Sequence, residues 1–472
     1  MSGIFGVVSE GNCRRDLLLG TDYQSHMGTE QGGLVTWKPR KGFRQSIHSI
    51  EVQPFRPRFL DDPKFEEMGG PLGIGAISDF DPQPLLVNTR FGQMAMAAVG
   101  LVSNQRQLTA RLISRGVSFV EMSRGQINMI ELIGKLISQG DDLVDGLERA
   151  WQAIRGSASV LMMSKDGLIA ARDSLGRTPL VLARTPGALA VATETCAFSN
   201  LDYEIDRFLG PGEVIQITRS GEVLQIRPPN QYLEICTFLW IYTSNPASII
   251  EEVEVATARW RSGQRQARRE TRDLDGVTGI PDSGLFHAYG FAMESGLPFV
   301  PLTIKYPTWA RSYTPSKQRI RAEIAYMKQL TLPELVRHLR ILRVAMLEDS
   351  IVRGTQLREK TIPKIYQTGV EEIHLRPDCP PLMWPCRYLR STRRLVDLAA
   401  RRAIVALEGE MPQDVSPYLD ENSRQYQAMV EYIRQELNVA SLRYQTLDDM
   451  VAAIGLPREQ LCTYCWTGQG EP

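Results

Sequence analysis

Apolar runs of strand length recur along this chain, separated by turn residues and polar stretches. The first, Gly3-Ile-Phe-Gly-Val-Val8, predicts a strand whose glycines permit close backbone approach. Val277-Thr-Gly-Ile280 predicts another, ending at the turn Pro281-Asp282-Ser283-Gly284. Val344-Ala-Met-Leu347 predicts a third, followed at once by Glu348 and Asp349 and then by the turn Ser350-Ile351-Val352-Arg353-Gly354-Thr355. Pro228-Pro229-Asn230 interrupts the pattern and places a boundary near residues 228–240, beyond which an α/β pattern resumes. Residues 401–435 read as an acidic and polar stretch, and the basic run Arg259 to Arg269 reads as a solvated helix face in preference to a nucleic-acid site. No run approaches the ~20 apolar residues of a membrane span.

Length and composition narrow the class. At 472 residues there is room for two or three domains, each with its own core. A composition of 43% hydrophobic and 23% charged residues is that of an ordinary globular protein. Fifty-four basic residues balance 54 acidic ones, so no general field favours nucleic acid or an anionic membrane. The N-terminus lacks the basic-then-apolar layout of a secretory signal, so the expected location is the cytoplasm. There, seven cysteines are expected to stay unpaired as disulfides.

The candidate chemistry is densest at residues 344–355. Open α/β sheets bind ligands beyond the carboxyl ends of their strands. Adjacent carboxylates at such an end can hold ribose hydroxyls and sit near magnesium, while Ser350, Gly354, Thr355 and nearby backbone N–H groups can cradle a phosphate. The segment resembles the phosphoribosyl pyrophosphate (PRPP) signature of type I phosphoribosyltransferases. The longer string Asp349-Ser-Ile-Val-Arg-Gly-Thr355 resembles that of the glutamine PRPP amidotransferase family in particular. The resemblance implies that Asp282, Ser283 and Gly284 hold the pyrophosphate end through backbone amides. It also implies that Lys305, Arg311, Gln318, Arg321 and Lys328 belong to a loop closing over PRPP, with Lys305 and Arg311 beside Glu348 and Asp349 as the catalytic set. Tyr306-Pro-Thr-Trp-Ala310 and Ser312-Tyr313 depart from the family pattern within that loop.

The first half resembles class II glutamine amidotransferase domains, whose N-terminal cysteine attacks the glutamine side-chain amide with its own α-amino group as base. Here that position is Ser2. His26-Met27-Gly28-Thr29-Glu30 lacks the family's arginine at Met27. Gly75-Ala-Ile-Ser78-Asp79-Phe80 puts Ser78 where an arginine clamps the substrate carboxylate. Ala98-Val99-Gly100-Leu101 keeps the glycine but not the asparagine of the oxyanion hole, a donor worth roughly 10²–10³ in rate. Arg124 stands where an acidic residue binds the α-amino group. Arg172–Leu180, Ala192–Cys196 and Pro211–Val214 match later strands and turns of the same family. The expectation is a glutaminase domain with its pocket emptied and its frame retained, serving as scaffold or interface; a pocket refitted for another ligand is the alternative.

Cys236, Cys386 and the pair Cys462 and Cys465 stand where the iron–sulfur branch of the family places its ligands. Four thiolates suit a [4Fe–4S] cluster, and the same set suits zinc. Cys13, Cys196 and Cys379 read as buried small residues.

The resemblance implies an N-terminal-nucleophile αββα sandwich over residues 2–235, then a type I phosphoribosyltransferase parallel-sheet domain over 236–472. The implied function is PRPP–Mg²⁺ binding with phosphoribosyl transfer to ammonia, without glutaminase activity. A non-catalytic PRPP or purine-nucleotide-binding subunit of an active paralogue, and transfer to another nitrogen nucleophile, are the competing readings. A homo-oligomer, dimer or tetramer, or a hetero-oligomer with that paralogue is expected, with no nucleic acid or membrane partner.

Overall fold

The computed structural model describes residues 2–306, 327, 329–389 and 394–470. Arg311, Gln318, Arg321, Lys328 and the departures at 307–310 and 312–313 lie outside the described residues.

The first half builds two antiparallel sheets. Its strands are β1 (Ser2–Ser9), β2 (Gln31–Lys38), β3 (Gly42–Ser49), β4 (Leu72–Ser78), β5 (Leu85–Thr89), β6 (Gly92–Val102), the hairpin β7 (Met122–Ser123) and β8 (Gln126–Ile127), β9 (Gly156–Ser164) and β10 (Gly167–Ala171). They continue with β11 (Val181–Thr185), β12 (Ala188–Ala192), β13 (Glu204–Phe208), β14 (Val214–Thr218) and β15 (Val223–Arg227). One sheet runs β13-β11-β12-β1-β4-β2-β3 and the other β15-β14-β10-β9-β6-β5.

Strand alternation explains the layers. In β1, Ile4 and Val8 enter the core between the sheets, while Phe5 and Val7 face the helices Arg14–Asp22 and Phe55–Leu60. In β6, Ala95, Ala97 and Val99 enter the inter-sheet core, while Met94, Met96 and Ala98 face the helix Met129–Ile137. Both faces are buried, so these strands are apolar throughout. The result is the αββα sandwich implied above.

The second half centres on a parallel sheet in the order Gly276–Gly279, Arg343–Glu348, Glu372–Pro377, Ser441–Leu442. Val344 and Met346 pack on one side of it, Ala345 and Leu347 on the other. Burial on both faces is why 344–347 is an uninterrupted apolar run.

The helices Ala399–Glu408 and Arg424–Leu437 bury Ala403, Ile404, Met429 and Ile433 against the sheet. One expectation needs correction. The run from Arg259 to Arg269 is not a uniformly solvated face. Its helix, Val255–Arg268, lies so close to the helix Leu285–Ser295 that a Cβ on Gly263 would meet the His287 carbonyl oxygen at 1.8 Å. Arg259 is buried there, donating to the carbonyls of Trp240 (2.8 Å) and Ser244 (3.0 Å).

Candidate functional site

At the carboxyl edge of the parallel sheet, the central strand ends in Glu348 and Asp349. Ser350 Oγ donates to Asp349 Oδ1 at 2.6 Å, fixing that carboxylate. One oxygen of Glu348, Oε2, is buried with no hydrogen-bond partner among the described residues. Burial, reinforced by the charges of Asp349 and Asp378, holds the Glu348 carboxyl well above the usual carboxylate range.

The loop Pro281–Gly284 meets the same strand end. Ile280 N–H donates to the Leu347 carbonyl at 3.1 Å, and a Cβ on Gly284 would lie 2.4 Å from that oxygen, so only glycine fits. Lys305 Nζ pairs with Asp282. Residues 350–355 pass from the strand into a helix, with Gly354 at φ +72°. The Val352 carbonyl accepts from Ala399 N–H at 2.7 Å, and Arg353 pairs with Asp397 at 2.9 Å. Among the described residues, the N–H groups of Ile351, Val352, Arg353 and Gly354 donate to no acceptor. Loop, acid pair and turn thus come together at one sheet edge, with free donors suited to an anion.

The reading of the sequence missed three neighbours. Asp378 follows the next strand, as Glu348 and Asp349 follow theirs, and its N–H donates to the Glu348 carbonyl at 2.8 Å. It is wholly buried, accepts from Ser262 Oγ at 3.0 Å, and lies 3.3 Å from buried His287 Nδ1. Arg259 lies in the field of Asp349 and Asp378; burial draws its guanidinium down to about 10. The alternation Ile373-His-Leu-Arg-Pro377, ending in Asp378, was the available signal; nothing local marked His287 or Arg259.

In the first half, Ser2 starts β1 opposite Ser78 of β4, and Ser2 Oγ donates to Ser78 Oγ at 3.3 Å. Ser78 Oγ also accepts from Phe80 N–H at 3.1 Å. Asp79 accepts from Thr29 N–H (2.8 Å) and Thr29 Oγ1 (3.0 Å). Arg124, at the tip of the β7–β8 hairpin, pairs with Glu30, donates to the Asp79 carbonyl at 3.2 Å, and covers the Phe80 ring. Gly28 is pressed against the Ser78 backbone, and Met27 is buried. The Val99 side chain enters the inter-sheet core, while Gly100, at φ +144°, lies against the Ser157 carbonyl. His26 Nε2 lies 3.3 Å from buried Glu194 Oε2, which accepts from Ser248 Oγ (2.5 Å) and Asn245 N–H (3.1 Å).

Cys236, Cys386, Cys462 and Cys465 line one cavity. The short strand Ile235–Cys236 pairs in parallel with Leu461–Cys462, setting two of the cysteines side by side. Leu389 N–H donates to Cys386 Sγ at 3.3 Å. Among the described residues, no group of three or more His, Cys, Asp or Glu side chains is arranged to hold a metal ion. Cys13, Cys196 and Cys379 are buried. No helix among the described residues is long and apolar enough to cross a membrane.

Residues 73–200 match a family described as glutamine amidotransferase domain. The amidophosphoribosyltransferase of Methanocaldococcus jannaschii is 28% identical over 99% of this chain and 97% of its own length. That of Bacillus subtilis is 26% identical over 99% of this chain and 93% of its own length. The structure of the B. subtilis glutamine PRPP amidotransferase complexed with ADP and GMP superposes with a TM-score of 0.81, at 26% identity, covering 99% of this chain and 96% of that one. Likeness along nearly the whole length, a shared two-part fold and the glutamine amidotransferase domain together support the amidophosphoribosyltransferase family for this chain.

Proposed function

We propose that the chain binds PRPP with magnesium at the carboxyl edge of the parallel sheet and transfers its phosphoribosyl group to ammonia. The observation that carries this is the meeting of Glu348, Asp349, the 350–355 turn and the 281–284 loop at one strand end. Glu348 and Asp349 hold the ribose hydroxyls and would hold magnesium, which supplies charge to stabilise the departing pyrophosphate. The free N–H groups of Ile351 to Gly354 receive the 5′-phosphate, and the 281–284 loop the pyrophosphate. The nitrogen lone pair forms the new bond to the anomeric carbon as the bond to pyrophosphate breaks. Positioning and fixed charge carry the reaction, since little proton transfer is needed.

Residues 2–235 form the glutaminase-like domain, without hydrolytic activity, and 236–472 the transferase domain. Support for an inactive pocket comes from its self-contained bonding: the Arg124–Glu30 pair, the Ser2–Ser78 contact and the Thr29–Asp79 bonds engage the groups a glutamine would need. Cys236, Cys386, Cys462 and Cys465 would hold a [4Fe–4S] cluster, with zinc as the alternative; support comes from four thiols on the wall of one cavity. A second reading, a PRPP- or purine-nucleotide-binding subunit of an oligomer, draws on the paired state of Lys305 and Arg353, two cations the transfer would use.

Pyrophosphate release from PRPP and Mg²⁺ with ammonia tests the transfer. PRPP binding without release in any nitrogen source selects the subunit reading; absence of PRPP binding by calorimetry sinks both.

A further inference from the structure

The cavity wall includes one residue from the other half of the chain. Arg177 follows β10 in the sandwich, is 1% exposed, and lines the space shared by the four cysteines. Its guanidinium is held on two sides. Nη1 and Nη2 donate to Glu234 Oε1 and Oε2 at 3.1 and 3.0 Å, and its central carbon lies 3.3 Å from the centre of the Tyr388 ring. Its carbonyl accepts from Cys236 N–H at 3.1 Å, which ties its backbone to the first cysteine. The third edge is unanswered: Nε is buried and has no hydrogen-bond partner among the described residues.

A guanidinium cannot shed its charge, and a buried N–H without an acceptor is costly. Four thiolates round an inorganic core make a net anion, with sulfur acceptors, on this cavity. We propose that Arg177 Nε–H is a donor, contributed by the N-terminal half, to the anionic group held by Cys236, Cys386, Cys462 and Cys465, so that filling the cavity fastens the two halves together. The inference rests on the iron–sulfur reading above. Glu234 and Tyr388 are positioning residues: one fixes the plane of the guanidinium, the other covers its face, and only the Nε edge remains for the group.

The test uses the full chain, purified anaerobically, in two measurements. Iron release to an added chelator is followed for wild type, Arg177→Met and Arg177→Lys. Arg177→Met releases iron at least about tenfold faster than wild type, as expected for loss of a charge-assisted hydrogen bond. Arg177→Lys, with its charge but no fixed fork, falls between. Hydrogen exchange of residues 173–178 is then compared in loaded and iron-depleted wild type, which needs no variant to fold. Loading slows exchange in this turn although it contributes no cysteine. Iron-bearing wild type with an unprotected turn, or equal release from Arg177→Met, overturns this inference alone. Wild type free of iron overturns the iron–sulfur reading and takes this inference with it.

Discussion

The contacts around Ser2 in the sandwich and the edge of the parallel sheet differ in how their polar groups are answered. In the pocket, Ser2 bonds Ser78, Asp79 bonds Thr29, and Arg124 pairs with Glu30. At the sheet edge, Glu348 Oε2 and the N–H groups of Ile351 to Gly354 have no partner among the described residues. Native proteins satisfy most buried polar groups, and each unanswered one calls for an explanation, a ligand among them. In the sandwich, Gln24 Nε2 and Glu194 Oε1 are buried without a hydrogen-bond partner among the described residues. The sheet edge differs in gathering an unanswered carboxylate oxygen and a row of N–H donors at one strand end.

The largest expected effect lies at the open site. Asp349→Asn should lower ammonia-dependent pyrophosphate release by ~10²-fold or more, because it removes fixed charge at the reacting centre. It should also abolish most of the rise in melting temperature given by PRPP–Mg²⁺. Unchanged turnover in this variant would remove the reason for treating the two regions differently.

Next in size is the cavity at the junction. Cys462→Ser should yield colourless protein with far less iron, melting ~5–10 °C lower, since a bound metal group contributes to folding stability. Stoichiometric zinc in anaerobic wild-type preparations would instead assign the cavity to a single ion.

A smaller effect is expected from the ion pairs that brace the second half. Arg376 Nε and Nη2 donate to Glu270 at 2.7 and 3.2 Å, and Arg443 adds its charge. Against the cost of burial, these bonds bring the Glu270 carboxyl from 4.5 down to about 2. A depressed carboxyl contributes stability that is complete above the unfolded value. That contribution is lost as pH falls from about 4.5 through about 2, and amounts to at most roughly 3 kcal/mol. Denaturant unfolding at pH 6 and pH 3 should show about two-thirds of this loss, roughly 2 kcal/mol, in wild type and lack it in Glu270→Gln. An equal loss in both would place acid sensitivity elsewhere.

The smallest effect is the sharpest on the closed pocket. Ser2→Cys restores a thiol but leaves Ser78, Val99 and Arg124 in place, so glutamate release from glutamine should stay at background. Steady release by wild type would falsify the proposed inactivity of the first half, since the pocket would then be catalytic as it stands.

Much of this was legible before folding. Strands buried on both faces must be apolar throughout, so 344–347 announced itself, and the carboxylates after it marked the strand end. Burial of Cys13, Cys196 and Cys379 also follows from residue type. Local pattern misled where tertiary packing overrode it. Residues 401–435 look polar because each helix buries only one face, and Arg259 looks solvated because its helix partner comes from elsewhere in the chain.

By itself the sequence determined the apolar strands, the acid pair at the end of one of them and four cysteines in suggestive places, while the αββα sandwich came from the family resemblance. Only the tertiary structure decided that Arg124 would find Glu30, that Asp378 and His287 would stand behind Glu348, and that Arg177 would face the cysteines. The reason is physical. Strand and helix periodicity are local and can be read from neighbouring residues. The partner of a charge is set by which distant segments the cores bring within a few ångströms.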